Sequence, residues 1–138
     1  MITIEKGSVA IAFVREALGG VVREGLDPLP FLRRAGIDAA LLATDEARVP
    51  ADAFGALWLE IAGALDDEFF GLDSRRLKVG SFATLTHLTL HTRTLREALQ
   101  RGTRLLSLLL DDTRIEFAAG NDTATLRFVA VREAGEQR

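Results

Sequence analysis

Residues 94–131, "TLREALQRGTRLLSLLLDDTRIEFAAGNDTATLRFVAV", change their hydrophobic period partway along. In the first half Leu95, Leu99, Leu106 and Leu109 return at helical intervals, and Arg93, Arg96, Gln100 and Arg104 take the other side. Thr94 stands where an N-cap belongs, and Glu97, three residues on, completes a capping box. After Asp111-Asp112 the period shortens to two. Ile115 and Phe117 alternate with Arg114 and Glu116; beyond the turn "GND", Leu126 and Phe128 alternate with Thr125 and Arg127. A helix followed by a β-hairpin is the result. A two-stranded hairpin is marginal alone, so its apolar face must cover helices. Its edges call for further strands, supplied by another chain or by a longer polypeptide. The tail "REAGEQR" has no apolar anchor and is expected to fray.

Upstream the pattern is helical. From Val9 to Glu24, Ile11, Val14, Leu18, Val21 and Val22 recur at helical spacing, with Ser8 as N-cap and Arg15, Gly19 and Arg23 opposite. The chain breaks at Asp27-Pro28, resumes as a short helix ending at Gly36, and forms another short helix over residues 39–43 after Asp38. Pro50 then opens a helix whose stripe is Phe54, Leu57, Trp58, Ile61, Ala62 and Leu65. The expected architecture is α+β: five or six helices packed against a C-terminal antiparallel β-hairpin, in one domain spanning residues 1–138.

Composition agrees with a globular chain: 138 residues, 48% hydrophobic and 27% charged. There is no cysteine, which removes disulfides and thiolate metal sites and fits a reducing cytoplasm. No stretch approaches the length of a membrane span, and the N-terminus lacks the layout of an export signal, so no membrane role is expected. Charge is uneven. Residues 1–69 carry six Lys/Arg against twelve Asp/Glu, and residues 70–138 carry eleven against eight. Seven basic residues lie between Arg75 and Arg104 with one acid, Glu97. A solvated helix face is the plain reading of that run; an anionic ligand, an acidic partner or DNA gripped by the Arg93–Arg104 strip are the alternatives. An acidic pI of 5.4 argues against DNA as the main partner.

Chemical motifs are sparse. Asp66, Asp67, Glu68 and Asp73 supply oxygen ligands without the EF-hand spacing, and are read as a solvated helix terminus; Phe69 and Phe70 beside them are read as core anchors. His87 and His91 share a helical face, but Leu88 stands where a zinc hydrolase needs glutamate, and there is no cysteine or third histidine. No metal and no cofactor is therefore assigned. No nucleophile elbow, phosphate loop or dinucleotide fingerprint occurs, so the chain is not read as an enzyme. The stretch "TLTHLTLHT", residues 84–92, alternates Thr with Leu, and intrinsic propensity leans to a strand; a helix whose threonines bond their own backbone is the competing reading. Hydroxyls beside leucines also suit a small-molecule cavity.

Three segments in order resemble a known family: "DPLPFLRRAGIDAALLATDEARVPADAFGALWLEIAGALDDEFFGLDSRRLKVGSFATLTH", "TLREALQRGTRLLSLLLDD" and "RIEFAAGNDTATLRF". Their order and spacing, with the short motifs R-x-G-I-D, R-V-P, D-D-x-F-F-G-L and T-L-x-E-A-L, are similar to the N-terminal arabinose-binding-like domain of AraC-type transcription regulators, in its mostly helical subgroup. The resemblance implies a domain that senses a small-molecule effector and forms a homodimer. DNA would be bound only through a C-terminal helix-turn-helix domain, for which these residues show no counterpart; "FLRRAGIDAALLA" fits the family's N-terminal entry region. It supplies no effector residues. From residue chemistry alone the expected ligand-binding positions are Phe82, Thr86, His87 and Leu90, with Arg93 or Arg96 holding an anion. An amino acid or organic acid is slightly favoured over a sugar. A structural protein–protein module without ligand is the alternative.

Overall fold

The computed structural model describes residues 7–131; the first six residues and the tail 132–138, where fraying was expected, lie outside the described residues. Contacts divide the chain between Leu72 and Asp73 into two units. Together they make the α+β, mostly helical architecture expected, with five α-helices and two antiparallel strand pairs among the described residues.

In the first unit a short strand, β1 (Ser8–Ala10), pairs with β2 (Arg48–Pro50), Val9 opposite Val49. Helices α1 (Ile11–Arg23), α2 (Leu29–Ala35) and α3 (Ala51–Leu65) and a 3₁₀ turn (Ala39–Ala43) complete it. Local chemistry explains their limits. Pro30 lies in the first turn of α2, where a missing N–H costs nothing, and Gly36 closes the helix at φ 70°. The Asp38 carboxylate accepts from the Ala40 N–H, capping the 3₁₀ turn. Ser8 is not a cap. It lies in β1, where its hydroxyl accepts from Arg48 Nε at 2.7 Å, and Ala10 precedes the helix. The core joins Ile11, Val14 and Val21 of α1, Phe31 and Leu32 of α2, and Leu57 and Ile61 of α3. Val22, expected on the apolar face, is 58% exposed; Gly20 is buried instead.

In the acidic burst after α3, Asp66 is exposed, as expected of a solvated helix terminus, but Asp67 is not. Asp67 is 1% exposed, and its carboxylate accepts from the N–H groups of Phe69 and Gly71 at 2.9 and 2.7 Å. This holds a tight turn with Asp66 and Phe70 at φ 49° and 56°. The turn sends Phe70 into the core against Trp58, ring centroids 4.6 Å apart and edge to face. Phe69 is only half-buried.

The second unit contains α4 (Ser81–Thr89), α5 (Leu95–Leu109) and a hairpin of β3 (Thr113–Ala119) and β4 (Ala124–Ala130). Of the two readings of "TLTHLTLHT", the helix is the one that forms, against the intrinsic strand propensity. Most of the segment is α4 and its C-terminal turn, because Thr84, Thr86 and Thr89 donate their hydroxyls to the carbonyls of Gly80, Phe82 and Leu85, four residues back. Threonines so engaged sit in a helix without exposing an unmet donor. The α5 cap is as expected: Glu97 N–H bonds Thr94 Oγ1, and the Glu97 carboxylate reaches back to the N–H of Arg93. In the hairpin Ile115 stands opposite Phe128 and Phe117 opposite Leu126, so the four apolar residues share one face.

Asp73 ties this unit together. It is 6% exposed and accepts from Arg75, Asp111 and Asp112 N–H groups at 2.9 to 3.0 Å, joining the entry loop to the corner between α5 and β3. Ser107 of α5 adds a second tie: its hydroxyl accepts from the Ile115 N–H at 3.1 Å and donates to the Ile115 carbonyl.

Candidate functional site

Helix α5 packs against both α4 and β3, and an open apolar cleft of about 340 Å³ lies along it. The small residues Ala98 and Gly102 and the larger Leu99 and Leu106 form the α5 part of its lining. Helix α4 contributes Phe82, Leu85, Thr86 and Thr89, and the hairpin contributes Ile115, Leu126 and Phe128. The helical and alternating periods thus converge on one concavity. None of the α5 side chains is fully buried; Leu95 is 74% exposed and Phe128 64%. An apolar face this open is unusual for a packed element.

The polar groups of the cleft are few and already engaged. Thr86 donates to Phe82, Thr89 to Leu85, and Thr103 to Leu99, each within its own helix. What remains is an apolar wall with hydroxyl lone pairs. A second apolar cleft, about 470 Å³, lies between α4 and α5 with Leu85 common to both; Val79, Leu88, Leu105 and Leu108 line it, with no charged group.

Of the residues expected to bind ligand, Phe82 and Thr86 line the first cleft together. His87 is exposed, outside both linings, its Nδ1 2.8 Å from the Ala83 carbonyl oxygen. Leu90, just past α4, is 63% exposed and also outside. Arg93 precedes α5 with its side chain in solvent. Arg96 lines a shallow hollow of about 280 Å³ beside the hairpin turn, which shares Leu95 and Leu99 with the cleft. The sequence therefore placed one wall of the concavity, and overlooked that the stripe of α5 and the apolar face of the hairpin form the rest. That signal was present in their periodicity, but as evidence of packing.

Strand β4 has an open edge. The bonds Val131 N–H to Asp112 and Gly120 N–H to Thr123 set the alternation of the ladder. The backbone groups of Ala124, Leu126, Phe128 and Ala130 accordingly point away from β3. Among the described residues no strand pairs with that edge. Arg93, Arg96, Arg101 and Arg104 are all exposed, and Arg101 bonds the Leu88 carbonyl at 3.3 Å.

One family model matches residues 25–138, that described as the arabinose-binding domain of AraC transcription regulator, N-terminal. No curated protein matches the chain at a significant level.

Proposed function

The chain belongs to the N-terminal arabinose-binding domains of AraC transcription regulators, and from that premise we propose that it is the effector-sensing and dimerisation domain of such a regulator, acting through a DNA-binding domain beyond residues 1–138. The family is one of regulator ligand-binding domains and not of enzymes. The observation that carries the reading is the apolar cleft on α5, which lies wholly inside the matched residues. A small-molecule effector lodged there touches α4, α5 and the hairpin at once. It favours whichever arrangement of the three fits it, and that differential affinity is what an attached domain or a second subunit can read. Amino acids, organic acids and sugars are the effector classes to screen. The sequence fits a cytoplasmic protein, and no helix among the described residues is long and apolar enough to cross a membrane.

Dimerisation is supported by the open edge of β4, where a second copy can add its own strand by main-chain hydrogen bonds. Sedimentation of the chain is expected to show a dimer, which Ala130→Pro shifts toward monomer by removing an outward N–H from the open edge. Thermal-shift screening tests the sensing role: at least one effector class is expected to raise Tm, by mass action on the folded state. Silence across a broad library counts against sensing. In a mobility-shift assay the chain alone is expected not to retard duplex DNA. Retardation that weakens steeply with salt would move the function to the Arg93–Arg104 strip.

A further inference from the structure

We infer that the cleft on α5 takes an amphipathic monocarboxylate, an aliphatic or arylalkyl acid whose apolar body lies on α5 and whose carboxylate meets Arg96, rather than a sugar; this rests on the sensing role proposed above. A sugar offers hydroxyls all round, and each needs a partner once it leaves water. The cleft offers few, because the hydroxyls of Thr86, Thr89 and Thr103 already donate to their own helices and have only lone pairs left to accept with. Its remaining wall, with Phe82, Leu99, Ile115 and Phe128, is apolar and rewards a ligand body that needs no hydrogen bonds.

The anionic end is assigned to Arg96, which lines a neighbouring hollow that has Leu95 and Leu99 in common with the cleft. The neighbouring acid on its helix, Glu97, is turned back to the N–H of Arg93, and Glu116 of the hairpin is held by Arg114 and Arg127. Asp122 also lines that hollow, from the hairpin turn, so the carboxylate must lie on the α5 side of it. A guanidinium presented this way can grip a carboxylate through two parallel N–H donors. The larger cleft between α4 and α5 has no charged lining and would hold an apolar body without fixing either end.

Calorimetry on the intact chain tests this with octanoate and phenylbutyrate, their matched alcohols, and L-arabinose, all below the concentration at which the acids form micelles. The acids are expected to bind about tenfold more tightly than the alcohols. Arg96→Gln, at an exposed position where the fold is not at stake, is expected to bring the acids down to the level of the alcohols and leave the alcohols unchanged. Gly102→Leu is expected to weaken acids and alcohols alike by filling the cleft, since only Thr89 Cγ2, at 3.8 Å, lies near a Cβ there. Equal affinity for acid and alcohol with no effect of Arg96→Gln overturns the carboxylate assignment. Binding of arabinose without the acids overturns the ligand class and leaves sensing intact. Silence from every probe overturns the class, and sensing falls with it only if the broad thermal-shift library is silent too.

Discussion

At Gly20, α1 passes against the turn that follows α3. A Cβ built there would stand 2.0 Å from the Phe70 carbonyl oxygen, backbone that cannot yield as a side-chain tip can. Gly20→Ala is therefore expected to destabilise the first unit by about 3 kcal/mol, read as a lower midpoint in urea. At Asp73 burial pushes the carboxyl's pKa up, but N–H donors from Asp111, Arg75, Asp112 and Thr113 outweigh it, and the group is held below its ordinary value. A carboxyl depressed by folding contributes stability that is complete above its unfolded value, about 3.9, and is lost as pH falls through the folded one. Replacing Asp73 by Asn is expected to cost about 2 kcal/mol at neutral pH, and the gap from the parent should narrow below pH of about 4. Denaturant melts of both proteins across pH 2–8 measure it; a gap constant with pH would mean that the charge has no part.

Secondary structure was legible wherever period and boundary chemistry agreed. Helix α5 has its heptad-like leucines, its Thr94 cap and its Glu97, and it forms where expected. Removing that cap by Thr94→Ala is expected to cost about 1 kcal/mol and to loosen the first turn of α5, visible as faster amide exchange at Glu97 and Ala98. At α4 the sequence left strand and helix both open, because Thr and Leu alternate along it, and alternation with β-branched residues is the mark of a strand. What overrides propensity is local: three threonine hydroxyls return to carbonyls four residues back, an option that a period count does not register.

Stability is expected to differ between the two units. The first buries Ile11, Val14, Val21, Leu57 and Ile61 completely, whereas α5 in the second buries no side chain fully. Hydrogen exchange is accordingly expected to be slowest at amides of α1 and α3, such as Val14 and Ile61, and clearly faster through α5 and β4. Saturating ligand in the cleft should slow exchange in α4, α5 and the hairpin selectively. Equal protection in both units without ligand would contradict the burial pattern.

Periodicity, Pro and Gly placement and capping pairs, all fixed by residues a few positions apart, were enough to specify the α1–α3 run, the capped α5 and the hairpin, and with them the fold class, while the family likeness came from resemblance across three ordered segments. Which acids would be buried, and that two separately legible apolar faces would leave a cleft between them, were not written in any one segment. Asp67 and Asp73 go inside because backbone N–H groups meet them there, in the case of Asp73 from residues 38 and 39 positions away. Leu99 and Phe128 line one concavity because α5 packs on the hairpin through β3. Such groups become partners only once the chain has folded back on itself, and so no local pattern announces them.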